Sequence, residues 1–185
     1  IRRHISQFIE ENNFSAVFTI SAGILPLQDL SQTCYAEIIK RTDFSLTLAK
    51  QHGRNCCYIF QEEEYQNFLR IREISNELHS AVNHGFRGFS IIFQPIMDIR
   101  QDKLTGAEVL IRFASKKFGQ ISPAEFIPLL ETSGLIIPTG RWFMREAITA
   151  CRKIRMQIPD FKVNINVSQV QITKSDIITD LISEM

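Results

Sequence analysis

The sequence predicts an α/β fold made of two consecutive units. Three observations lead there. Strand-like alternation and helix-like periodicity take turns along the whole chain. A long helical pattern opening on Glu62-Glu63-Glu64 separates an earlier strand–helix–strand group from a later one. The later strands also pair an apolar face with a polar one.

In the first unit, Ile1, Ile5, Phe8 and Ile9 share one helical face, and Asn12-Asn13 end that helix. Phe14, Ala16, Phe18 and Ile20 alternate with Ser15, Val17, Thr19 and Ser21, which predicts a strand. Gly23 and Pro26 punctuate its exit. A helix is expected from about Tyr35 to Gln51, with Tyr35, Ile38, Ile39, Thr42, Leu46 and Ala49 as its apolar stripe. Gly53 stands just past its end. Cys56 to Phe60 reads as a short strand.

Glu62 opens a long helix with acids where the dipole favours them. It runs to about His84 and stops at Gly85 and Gly88. Phe89–Asp98 and Gly106–Phe113 read as strands joined by a polar turn short enough for an antiparallel hairpin. Ser122-Pro123-Ala124-Glu125 predicts a helix start with a capping box and Pro at the first position, and Gly134 predicts its end. A further helix is expected over 141–156, a strand over 162–168, and a last helix from about Lys174.

Composition excludes several classes. The chain has 185 residues, 44% hydrophobic and 22% charged, with a net charge of +1. These values suit a globular chain rather than a disordered or strongly basic nucleic-acid-binding one. Residues 1–80 carry 8 basic and 10 acidic side chains, and residues 81–185 carry 13 and 10, so neither half steers toward nucleic acid. No apolar run reaches the roughly 20 residues of a membrane span. Cys34, Cys56, Cys57 and Cys151 match neither a zinc spacing nor a disulfide framework, and buried free thiols in a cytoplasmic setting are expected. The chain opens on Ile1 and closes on Met185 inside helical patterns, so a fragment of a longer protein is expected.

The polar strand faces carry the chemistry. On one strand Ala107, Val109, Ile111 and Phe113 are apolar, while Glu108 and Arg112 point the other way. On another, Val163, Ile165 and Val167 oppose Asn164, Asn166 and Ser168. Gln94 adds a third polar position. Buried charge is costly unless paired, metal-bound or facing ligand. A structural Glu–Arg pair, a wet strand face, and a cap at Ser168, Thr173 or Ser175 are the plain readings. A carboxylate with amide oxygens also suits a hard cation.

Several stretches then resemble a known family: Phe93-Gln94-Pro95-Ile96, Gly106-Ala107-Glu108-Val109-Leu110-Ile111-Arg112-Phe113, Ile121-Ser122-Pro123-Ala124-Glu125-Phe126-Ile127-Pro128-Leu129, Gly134-Leu135-Ile136 and Ile165-Asn166-Val167-Ser168. Their order and spacing resemble the first half of an EAL domain over roughly the last 100 residues. Phe18–Ile24, Arg41-Thr42-Asp43 and Ala49-Lys50-Gln51-His52-Gly53-Arg54-Asn55 are similar to the end of a GGDEF domain. The implied organisation is 1–61 as the C-terminal part of a GGDEF-like domain, 62–85 as a connecting helix, and 86–185 as the N-terminal part of an EAL domain. The EAL resemblance implies a TIM-barrel-like fold and cleavage of cyclic di-GMP to pGpG with Mg²⁺ or Mn²⁺.

By matching position, the resemblance assigns Glu108 and Asn166 to metal, and Gln94, Leu110 and Arg112 to the dinucleotide. Lys50 and Arg54 match GGDEF residues at a nucleotide's phosphates, with a solvated helix end as the plain alternative. Departures exist. The motif reads Glu-Val-Leu, segment 114–120 lacks the usual His-Pro, and Thr47 replaces a common Tyr. Two functions therefore stand side by side: a cyclic di-GMP phosphodiesterase in the complete protein, and a degenerate, non-catalytic cyclic di-GMP receptor or interaction module. The helix over 62–84 either couples domains or a homodimer, or simply packs within its unit. The 185 residues alone are expected to hydrolyse nothing, since a barrel of this class needs eight strands and about 250 residues.

Overall fold

The computed structural model describes residues 2–12, 19–26, 34–177 and 179. The chain divides into two compact units, Ile1–Arg70 and Ile71–Met185, and the division falls inside one helix.

The first unit opens with α1 (Arg2–Glu11), where Asn12 donates its backbone N–H (3.2 Å) and its Nδ2 (2.8 Å) to the Phe8 carbonyl. β1 (Ala22–Ile24) pairs in parallel with β2 (Cys57–Ile59), and α2 (Tyr35–Gln51) lies in the connection between them. The predicted strand over 14–21 falls largely outside the described residues, and the strand present begins at Ala22. Gly23 is thus a strand residue rather than a terminator. The reason is close packing: a Cβ there would sit 2.4 Å from Leu46 N and 2.5 Å from Thr42 O on α2. Gly23→Ala must push helix backbone away, and it is expected to cost about 1–3 kcal/mol. Urea unfolding of the chain checks this, with an unchanged midpoint as the contrary result.

The buried face of α2 also differs from the predicted stripe. Phe44, Ser45 and Ala49 are buried, whereas Tyr35 is 78% and Ile39 42% exposed. Aromatic partners select this face: Phe44 meets Tyr65 at 5.2 Å, Phe68 at 5.1 Å and Phe60 at 6.4 Å between ring centroids. Arg41 lies over the Phe60 and Tyr65 rings and binds Glu37 (3.1 Å) and Glu62 (2.7 Å). Its hydrogen bond to Glu37 raises the guanidinium pKa further, so the cation persists at every ordinary pH.

α3 (Glu62–Asn83) leads into the second unit, where Ile74, Leu78 and Ala81 enter the core. β3 (Phe89–Asp98) and β4 (Lys103–Ser115) form the expected antiparallel hairpin. β5 (Gly119–Ile121), which the pattern did not predict, folds back on the end of β4. α4 (Pro123–Ser133) and α5 (Ile136–Arg155) come next. β6 (Lys162–Ile165) then returns parallel to β4, and α6 (Gln169–Lys174) comes after it. Among the described residues the strands make an open four-stranded sheet centred on β4, rather than a closed barrel.

The core lies between the helices and the apolar face of that sheet. Phe89 and Phe113 meet at 4.8 Å, Phe113 and Phe126 at 5.9 Å, with Ile121, Leu130 and Ile136 around them. Val109, Phe143 and Ala147 form a second cluster.

Three helices depart from expectation. Ser122 makes no side-chain capping bond, so the predicted box is not closed; its carbonyl accepts from Glu125 N–H at 2.9 Å. α5 begins at Ile136 rather than 141, because Pro138 falls in its first turn, where backbone N–H groups lack helical acceptors anyway. α6, over Gln169–Lys174, is a short helix the sequence did not predict, and it ends where the expected last helix was to begin. Ile177 is helical again, and most of the chain beyond it lies outside the described residues. The cysteines are unpaired, but Cys34 and Cys57 are exposed and Cys56 and Cys151 only half-buried, so the expectation of buried thiols fails. No helix among the described residues is long and apolar enough to cross a membrane.

Candidate active site

The polar side chains of the second unit collect on the sheet face turned away from the core. β4 supplies Glu108, Leu110 and Arg112 at alternate positions, all half-buried. Across the hairpin Gln94 is directly opposite Glu108, Ile92 opposite Leu110, and Ser90 opposite Arg112. On the other side of β4, Asn164 of β6 is the parallel partner of Glu108. This approach requires Gly106, since a Cβ there would stand 2.5 Å from Lys162 O.

Just past β6, Asn166 donates from Nδ2 to Glu108 Oε1 at 2.7 Å. These two residues, 58 apart in sequence, are in direct contact. The strand predicted over 162–168 is shorter because the chain turns off at Asn166 to cap a helix. Ser168 Oγ accepts from Val170 N–H at 3.2 Å, and Gln171 Oε1 accepts from Ser168 N–H at 3.0 Å, completing a capping box. Ser168 Oγ also donates to Glu131 Oε1 of α4. Asn166 is thus fixed from both sides, by strand register before it and by a cap after it.

Arg112 Nη1 donates to the Ile111 carbonyl at 2.8 Å. Leu110, Arg112 and Asn166 share the wall of a cavity of about 310 Å³ with Glu131 and Ser168. Along the strand, Leu110 and Arg112 lie about 7 and 13 Å beyond Glu108. Val109, the departure inside the Glu-Val-Leu motif, is 1% exposed and packs with Phe143 and Ala147 on the opposite face. It therefore changes packing and leaves the polar face as it is.

The donor set suits a hard divalent cation in part. With its amide turned over, Asn166 would offer an oxygen beside the Glu108 carboxylate, and such oxygen donors suit a hard divalent cation. Glu108 and Asn166 would be the protein ligands. Among the described residues no group of three His, Cys, Asp or Glu forms a metal cluster.

Lys50 and Arg54 belong to the first unit. Lys50 is in the last turn of α2, Arg54 is in the following loop with φ +61°, and both are exposed. Residue patterns missed Asn164 as a neighbour of Glu108, and Glu131 as the anchor of Ser168. The first was legible as a polar row, but its register was not. The second had no sequence signal beyond the Ser-x-x-Gln capping pair.

Comparison with known proteins identifies the family. A family model described as the EAL domain matches residues 75–185. The cyclic di-GMP phosphodiesterase PdeR of Escherichia coli is 30% identical over 144 residues, which are 78% of this chain and 21% of that protein. The bifunctional diguanylate cyclase/cyclic di-GMP phosphodiesterase MucR of Pseudomonas aeruginosa is 26% identical over 180 residues, 95% of this chain and 25% of its own. This chain thus spans a quarter or less of each of these two relatives. The solved EAL enzyme Bd1971, bound to cAMP and cyclic di-GMP, superposes with a TM-score of 0.57 at 26% identity, covering 83% of this chain and 40% of that one. With the family model matching well over half of its residues, the chain belongs to the EAL domain family.

Proposed function

We propose that the complete protein is a metal-dependent phosphodiesterase that hydrolyses cyclic di-GMP to pGpG. The observation that carries this reading is the contact between Glu108 and Asn166 on the polar face that also bears Arg112. In this reading Glu108 and Asn166 hold Mg²⁺ or Mn²⁺. Such an ion, when bound, supplies Lewis-acid activation of water and of the phosphate. Arg112 offers paired N–H donors to a phosphate oxygen. Leu110 and Gln94 contact the rest of the dinucleotide. The capping box at Ser168 holds the Asn166 segment in place, so little ordering is needed when ligand arrives.

The test is the full-length protein with Mg²⁺ or Mn²⁺ and cyclic di-GMP, followed by chromatography of the nucleotides. Conversion to pGpG is expected. Binding without conversion would move the protein to the receptor reading, and absence of both would overturn the assignment. The open sheet of the described residues supports the further expectation that residues 1–185 alone are inactive.

For the first unit the proposal is the C-terminal part of a GGDEF-like domain, with Lys50 and Arg54 at a nucleotide's phosphates. Support comes from the parallel β1–β2 pair, from the exposure of both cations, and from alignment with MucR over 95% of this chain.

A further inference from the structure

The turn that joins β4 to β5 is held by a carboxylate from α3. Glu77 Oε1 accepts from Ser115 Oγ at 3.0 Å, and Glu77 Oε2 accepts from Lys116 N–H at 3.0 Å. Ser115 Oγ itself accepts from Lys117 N–H at 3.1 Å and Phe118 N–H at 3.0 Å. One helical turn earlier on α3, Glu73 Oε2 takes Lys117 Nζ at 2.6 Å. Three successive backbone donors are thereby satisfied through two side chains.

A surface turn does not need this. Water satisfies exposed turn amides, and an ion pair as open as Lys117–Glu73, 59% and 43% exposed, adds little by itself. The Ser115–Glu77 link is different, because Ser115 is 5% exposed and a buried hydroxyl is costly without its partner. This clamp also falls in segment 114–120, where the chain departs from the family pattern by lacking His-Pro.

Its position gives it a role. Arg112 precedes Ser115 by three residues on the same strand, with Phe113 buried between them. Ala114 N–H donates to Gly88 O at 2.9 Å, which secures the strand edge there. Side chains alternate along β4, so the twist that turns Ser115 toward α3 turns Arg112 toward the opposite face. Fixing one fixes the direction of the other.

We propose that Glu77 is a positioning residue for Arg112: by holding the β4–β5 turn through Ser115 and Lys116, it aims the guanidinium at a ligand phosphate. This rests on the cyclic di-GMP reading above. The test uses the full-length protein, with Kd from calorimetry, or KM where the ligand is turned over. Glu77→Ala is expected to weaken apparent affinity about tenfold. Glu77→Gln, which keeps one acceptor and the side-chain shape, is expected to weaken it less, and thermal melting confirms that it folds.

The deciding arm is a double-mutant cycle. With Arg112→Ala already in place, adding Glu77→Gln is expected to change affinity no further. Equal loss in both backgrounds, or unchanged affinity in Glu77→Ala, overturns the proposal. A wild-type protein that neither binds nor hydrolyses cyclic di-GMP overturns the cyclic di-GMP reading itself, and this inference with it.

Discussion

Glu108→Gln is expected to lower kcat for cyclic di-GMP in the full-length protein by at least about 100-fold, a loss no smaller than that seen when groups supporting a metal ligand are removed. The substitution is nearly isosteric. Its amide oxygen can still accept from Asn166 Nδ2, so the 2.7 Å contact and the strand register persist. What disappears is the negative charge that a divalent cation requires. The melting temperature is therefore expected to stay close to wild type while the Mg²⁺ or Mn²⁺ concentration needed for half-maximal rate rises steeply. A variant with wild-type kcat and the same metal dependence would remove Glu108 from the metal site. Because the fold is left alone, loss of rate cannot be confused with loss of structure.

The second large effect concerns stability. Phe113→Ala is expected to cost about 3–5 kcal/mol, as for other large-to-small changes at buried aromatic positions. Phe113 is 1% exposed, with ring centroids 4.8 Å from Phe89 and 5.9 Å from Phe126. Its cluster draws from α3, β3, β4, β5, α4 and α5, so the cavity left behind has walls from six elements and cannot collapse cheaply. Urea unfolding gives the measurement, and a loss below about 1 kcal/mol would mean that the site repacks. Phe113 also separates Arg112 from Ser115, so affinity for a phosphate-bearing ligand is expected to fall in the variant even where it remains folded.

Much of the second unit was legible from residue order. Phe89–Asp98 forms a strand over the expected residues, bounded by Gly88 before it and a polar turn after it. The partition of β4 into Val109 and Phe113 on one face and Glu108 and Arg112 on the other needed only period-2 geometry. Other elements were less legible. β5 is three residues long, too short for a periodic signal, and it exists because Ser115 and Glu77 fold the turn before it. The start of α5 was hidden by Pro138, which reads as a breaker until its first-turn position is known. The buried face of α2 depended on which aromatic rings lay opposite, so Phe44, outside the predicted stripe, is buried while Tyr35, inside it, is exposed.

The candidate site divides in the same way. Residue types and alternation determined that Glu108 and Arg112 would share one face of their strand, that Asn164 and Asn166 would form a polar row, and that Gln94 would add a third polar position. Only the tertiary structure decided that Glu108 and Asn166 touch. That contact depends on β6 docking parallel to β4 in one register, on a glycine at 106 that lets the backbones approach, and on Glu131 holding Ser168 where the chain leaves the sheet. Register and docking are set by packing between segments far apart in the chain, and local periodicity contains no information about them.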